Sequence, residues 1–518
     1  MPRFFILVAV LISTAIGCRK PDNPHQPPIN PPLLISIDSV IINPSGYAPL
    51  TALVLFSSTV NGKTFIKIQG KHGPDTDVEH VFNDYGLHHA VQVIGLYSEY
   101  LNTVNIRLIS NKGDTVAKTT LNIRIGALPP NLPTSIIADV FQPGQVEKGL
   151  LLVSNLSTVN PQIPLMLDNY GEVRWLLNYS THKELNRLAY NNGLKRLRNG
   201  NFYFGDVRSK KIYEIDLVGT VMHTWDLSKT GYEFHHEVDE KPDGNLIVSV
   251  TKTGSKNFEG IETIEDYIIE INRRTGAIST VWDLKESLDE FRFSLIETPD
   301  DWIHVNAVLY DSTDNTIIVS GRHQGVIKLT FENKIKWILA THKGWTRNRR
   351  GEELDRFLLT PLAYDGSRIT DTAVLNGTKN HPDFEWTWYQ HSSIALPDGN
   401  FMFFDNGDSR NYDPALPKYS RAVEYRINAK DMTIQQVWQY GKDRGLETFA
   451  PIVSSVQFMP GSNHVLFCPG NRVKNEQGFG GKIIELDYVT KKVVLQLSIS
   501  AVIRAGFHKA KRISVYPE

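Results

Sequence analysis

The chain has 518 residues, 41% of them hydrophobic, and 55 Lys and Arg set against 56 Asp and Glu leave a formal net charge of −1. That length supports one large folded unit and a smaller one, and the charge balance excludes a nucleic-acid binder working through a basic surface. Glycine and proline punctuate runs of β-branched and aromatic residues, and helical periodicity is absent outside an insertion within residues 340–362; the chain reads as all-β.

Met1-Pro2-Arg3 precedes an apolar run over residues 4–16, then Gly17-Cys18. The run is short for a membrane span, and its flanks fit an export signal. Ala15-Ile16-Gly17-Cys18 has the form of a bacterial lipobox. It predicts a signal peptide over residues 1–17, a lipid on Cys18, and an exported chain anchored to a bacterial membrane, in the periplasm or at the outer membrane. An ordinary secretory signal with an incidental cysteine is the alternative. The other cysteine, Cys468, ends the apolar strand VLFC and reads as a small buried hydrophobe, with no intrachain disulfide. Residues 18–32, rich in proline and asparagine, form a tether. Short alternating strands over residues 33–128 predict a small immunoglobulin-like β-sandwich.

From residue 133 to 518 an internal repeat takes over. Each unit holds a strand, a turn such as PDGN, a second apolar strand, and a hairpin whose last strand often ends in Trp, as in HTWDL, TVWDL and IKWIL. SIIADVFQ…KGLLLVSN reads as a divergent first copy. One such meander cannot cover both its faces, but six stacked radially can, which predicts a six-bladed β-propeller. Residues 502–518 either close the ring or return over the channel.

Three copies carry a histidine at one place. His236 lies six residues before Pro242, His304 six before Tyr310, and His391 six before Pro397; Asn192 and Ser454 occupy that place in two others. These positions begin the first, innermost strand of a blade, so the three imidazoles are predicted to meet near one end of the channel. His235 competes with His236 for the channel-facing role. Imidazole is a competent nucleophile and proton carrier near neutral pH. Ser320–Gly325 reads SGRHQG, and strand alternation turns Arg322 or His323 inward; arginine's planar fork suits a sulfate, phosphate or carboxylate. A metal site of three histidines is a rival, opposed by the arginine and by the lack of carboxylates in matching positions. The remaining alternative is a non-catalytic propeller binding a glycan or protein at the cell surface, its histidines serving as packing residues.

The stretches DDWIHVNAVLYDSTDNTIIVSGRHQGVIKL…KWILATHKGW and WTWYQHSSIALPDGNFMFFDNGDSR resemble the bacterial PAPS-independent arylsulfate sulfotransferases. The resemblance implies a sandwich followed by a six-bladed propeller, and transfer of a sulfuryl group from a phenolic sulfate donor to a phenolic acceptor through a sulfohistidine. It implies no metal, no nucleotide cofactor and a homodimer. By motif, His391 is similar to the sulfated nucleophile, His304 and Arg322 to the groups holding the sulfuryl oxygens, and His236 to the remaining histidine. Trp302, Trp388 and Tyr389 are placed to sandwich a phenyl ring or to serve as core. Some family members carry a cysteine pair before the QH motif; residues 371–383 have none.

Overall fold

The computed structural model of the chain describes residues 34–130, 132, 135–156, 160–188, 193–292, 298–476, 478–501 and 506–517. The expected signal peptide, Cys18, the tether up to residue 32, and Asn192 lie outside the described residues.

The first unit is a five-stranded antiparallel sheet of Ile35–Ile42, Thr51–Ile68, Val78–Ile94, Leu101–Ile109 and Thr115–Arg124. The sequence pattern separates TALVLFSST from TFIKIQG at Asn61-Gly62, but the two form one strand. The Asn-Gly pair is absorbed as an irregularity, with the register to Val78–Ile94 shifting between Ser57 and Gly62. The first half of that strand pairs with Ile35–Ile42 and the second with Leu101–Ile109, so the sheet wraps around one apolar core.

The rest of the chain forms a six-bladed propeller of antiparallel meanders. The innermost strands of blades two to six are Lys195–Arg196, Tyr232–Glu240, Val305–Asp311, His391–Ala395 and Ser455–Met459. Blade one takes its innermost strand from the far end of the sequence: Gly506–Ile513 pairs with Leu150–Leu156, so this segment closes the ring. Ser135–Phe141, read as the opening strand of the first repeat, instead adds to the outer edge of blade six beside Val493–Ala501. The closing strand already fills the place it was assigned. The insertion 340–362 holds only a short 3-10 turn, Asp355–Phe357, and the strand Thr360–Leu362.

The repeated tryptophans fasten blade to blade. Trp175 donates its Nε1–H to Leu217 O (2.7 Å), Trp225 to Arg273 O (2.9 Å), Trp282 to Thr330 O (2.9 Å) and Trp438 to Tyr488 O (2.8 Å), each acceptor lying in the outer hairpin of the next blade. An indole buries a large apolar surface and carries a single donor, so one residue supplies packing and register together.

Blade one also holds the sandwich. Arg174, fully buried, donates to Gly95 O and Thr76 O (2.8 Å each) and to Tyr97 Oη (2.8 Å), with its guanidinium 3.8 Å from the Tyr97 ring. Replacing it with methionine strands buried acceptors and Asp168, 3.6 Å away. The loss expected for breaking such a buried pair is about 3–5 kcal/mol. Chemical denaturation of Arg174→Met checks this, and the sandwich–propeller linker should become the preferred site of limited proteolysis.

Candidate active site

The first strands of neighbouring blades are tied across the channel wall. Tyr310 N donates to Asp239 Oδ2 (2.8 Å), Asn306 Nδ2 to Gln390 O (2.8 Å), Val456 N to Ser392 Oγ (3.2 Å) and Ala510 N to Ser455 Oγ (3.0 Å). Within or just before these strands, the backbone is bent out of β conformation. His236, His304 and Ser454 have φ of 55°, 52° and 87°, while in blade five the corresponding kink falls on Ser392 at 55°. Left-handed backbone is strained for such residues and persists where the surroundings over-determine it, as at functional sites. In blade three the kink interrupts the ladder between Phe234 and Val238, and Ser249 Oγ fills the gap by accepting from Glu237 N (3.0 Å).

These bends bring His236 and His304 together, with ring centroids 5.1 Å apart. A fourth imidazole joins them: His508, on the closing strand, stacks on His236 at 5.8 Å. The repeat register did not reveal it, because its strand lies at the end of the sequence while its blade lies at the start. The one available signal was a histidine in the segment expected to close the ring. His236 is the member of the HH pair that meets rings from other blades; His235 packs edge-on behind it at 5.2 Å.

Arg322 and His323 lie in the tight turn between Thr316–Gly321 and Gly325–Thr330, so strand alternation does not choose between them. Both reach the site. Arg322 N donates to His304 O (3.0 Å), and its guanidinium lies 4.5 Å from the Tyr389 ring. Its Nε is buried with no hydrogen-bond partner among the described residues, and no described carboxylate lies within ion-pairing distance. A guanidinium stays charged even where burial opposes it, so this cation stands without a direct ion pair, in the wider field of Asp301, Asp408 and Glu265. His323 packs on His304 at 5.3 Å and on Tyr389 at 5.5 Å, and its Nδ1 donates to Asp301 O (2.9 Å). Trp302 and Trp388 are core residues, the first donating to Asp266 and the second packed edge-on against Tyr412. Of the three aromatics, Tyr389 stands at the site.

His391 is buried, and its Nδ1 faces two neutral oxygens, Asn406 Oδ1 at 2.8 Å and Tyr389 O at 2.9 Å. Asn406 cannot be flipped, since its Nδ2 donates to Ala450 O (2.7 Å) and Val453 O (3.0 Å). Nδ1 must therefore carry the hydrogen, which leaves the lone pair on Nε2. Burial first, then the Arg322 cation, hold this imidazole well below its usual range, although the Asn406 bond acts the other way; it is neutral at physiological pH. Burial likewise pushes His235 and His323 down to about 3 and His508 to about 4, and holds His236 well below its ordinary value.

His304 stands in a different field. Its Nδ1 is 2.8 Å from Asp301 Oδ2 and 3.0 Å from Glu265 Oε2. Two carboxylates thus bear on this ring, although neither stands at a matching repeat position. The two acids come from loops between strands rather than from the repeat position, so no register could place them. His235, His236 and Glu265 form one set of donor atoms within 4.8 Å of one another, and Asp301, His304 and His323 another. A dication there would face the Arg322 guanidinium, a field that suits an anion better.

Gln390 ties the His391 strand to the arginine turn. Its Nε2 donates to Gly321 O (3.0 Å), Gly325 O (3.2 Å) and Ser320 Oγ (3.2 Å). Gln390→Leu breaks that registration without touching either reacting group. A shift of about 1 Å costs roughly 10²-fold in rate, so kcat should fall by that order with little change in KM, as steady-state kinetics would show.

A model described as arylsulfotransferase matches residues 139–508, and one described as the arylsulfotransferase Ig-like domain matches residues 39–126. The chain is 29% identical over 548 aligned residues to the arylsulfate sulfotransferase AssT of Escherichia coli O6:H1, covering 89% of this chain and 90% of that protein. It is 28% identical to the AssT of Lelliottia amnigena over the same shares. Among solved structures, a streptogramin B lyase aligns at 12% identity over 70% of this chain and 98% of its own, with a TM-score of 0.31, too low to bear on the argument. Matched over most of its length by both domain descriptions, the chain belongs to the arylsulfotransferase family.

Proposed function

We propose that the enzyme transfers a sulfuryl group from a phenolic sulfate ester to a phenolic acceptor by a ping-pong route through sulfated His391, without PAPS. The observation that carries this reading is the locked tautomer of His391, which presents a neutral Nε2 lone pair beside the unpaired Arg322 cation. In the first half-reaction Nε2 attacks sulfur, an N–S bond forms and the S–O bond to the aryl group breaks. The phenolate departs and takes a proton from His304, the ring of the group that faces two carboxylates. In the second half-reaction the acceptor phenol gives up its proton to that imidazole, its oxygen attacks sulfur, and the N–S bond breaks. Arg322, His304 and His236 hold the three sulfuryl oxygens, where donors fixed in advance stabilise the charge that develops there. A phenol with a pKa of about 10 is a poor leaving group unless protonated, which gives the imidazoles around the nucleophile their second task.

The same reading places the enzyme outside the cytoplasm, lipid-anchored through Cys18 at a bacterial membrane, where no nucleotide donor is at hand. 4-Nitrophenyl sulfate with phenol tests the chemistry. Colour release that depends on phenol and survives EDTA supports transfer. Release to water alone, or release abolished by EDTA, points to a metal-dependent hydrolase, and no release points to a binding propeller.

A further inference from the structure

Glu265 belongs to no repeat and to no recognised motif, yet its carboxylate lies between two blades' histidines. Oε2 is 3.0 Å from His304 Nδ1 and 3.3 Å from His236 Nε2. It is buried and makes no well-aligned hydrogen bond to either ring, although it lies within ion-pairing distance of both. The residue is pinned through its backbone on both sides. Its N–H donates to Thr251 Oγ1 (2.9 Å) in blade three, and its carbonyl accepts from Val305 N (3.0 Å) in blade four. Its φ of 56° is left-handed, a conformation that a glutamate adopts only under constraint. Asp301 Oδ2 accepts squarely from His304 Nδ1 at 2.8 Å, so orienting that ring does not require a second carboxylate. A carboxylate held this far out of water is costly unless it is paired, and among the described residues the two imidazoles are the groups within ion-pairing distance of it.

We propose that Glu265 is a positioning residue shared by His236 and His304: it holds the two rings in place, and its carboxylate balances the positive charge on His304 while that ring delivers a proton to the departing phenolate. This rests on the transferase reading above. In the step itself the imidazolium N–H bond breaks and a phenol O–H bond forms as the S–O bond is cleaved, leaving a neutral imidazole. When the acceptor phenol loses its proton, the N–H bond re-forms. Glu265 keeps its charge throughout and exchanges no proton.

The test compares donors in the full-length enzyme. Phenyl sulfate releases a basic phenolate that needs the proton, whereas 4-nitrophenyl sulfate releases a much weaker base. For Glu265→Gln, kcat/KM with phenyl sulfate should fall roughly 10²-fold, the scale of general acid catalysis, and with 4-nitrophenyl sulfate by less than about fivefold on that same scale. Glu265→Asp, which keeps the charge, should recover part of the loss with phenyl sulfate. Equal losses on both donors, or no loss on either, would overturn the proposal. Mass spectrometry of the His391 peptide after quenching with 4-nitrophenyl sulfate separates this from the reading beneath it. Sulfation in Glu265→Gln alongside equal donor losses rejects the role of Glu265 alone, while no sulfation even in the wild type rejects the histidine route.

Discussion

His391→Asn is expected to remove turnover almost entirely, by roughly 10⁴–10⁶-fold in kcat, the range seen when a covalent nucleophile is lost. Asparagine has no lone pair at the reach of Nε2, so the proposed first half-reaction would have no route. The folded state should survive, because the strand is held by Gln390 and by Asn306 rather than by the ring; an unchanged near-ultraviolet circular dichroism spectrum would show this. No sulfated peptide should form with any donor. Turnover near wild type, or sulfation at another histidine, would remove His391 from the mechanism. The depressed titration of this ring also predicts a pH profile. Because its pKa lies well below 6.5, the nucleophile stays neutral as pH falls through that value. Single turnovers with 4-nitrophenyl sulfate should therefore not decline across it, as they would for an ordinary histidine.

Arg322→Lys is expected to cost roughly 10²–10³-fold, or about 3–4 kcal/mol of transition-state stabilisation. Lysine retains the charge, but it loses the planar fork and the stacking on Tyr389. On the proposed route the sulfuryl oxygens are held in both halves of the cycle, so burst and steady-state phases should slow together. A variant that slows only one phase would assign Arg322 to the donor or the acceptor instead.

The sequence revealed features that recur. Turn residues and terminal tryptophans mark the blades because every blade solves the same problem, covering its face with the next. Three of the histidines stand out because they share one register in those copies. What escaped notice occurs only once. His508 lies on a strand that pairs with one about 350 positions earlier, Gly506 standing opposite Leu156. Glu265 and Asp301 sit in loops, whose shape depends on neighbours from other blades. The tautomer of His391 depends on Asn406, whose orientation is set in turn by the carbonyls of Ala450 and Val453. Strand alternation failed at Arg322 and His323 because three residues there form a turn, and alternation describes extended backbone alone.

The strand Gly506–Ile513 completes blade one and delivers His508 to the cluster. A polypeptide cut short before residue 506 would have its channel wall open beside His236. Interrupted synthesis or proteolytic trimming there should thus leave an inert product rather than a loose, unselective sulfating agent. Closure of the ring and completion of the histidine cluster thus fall to the same strand.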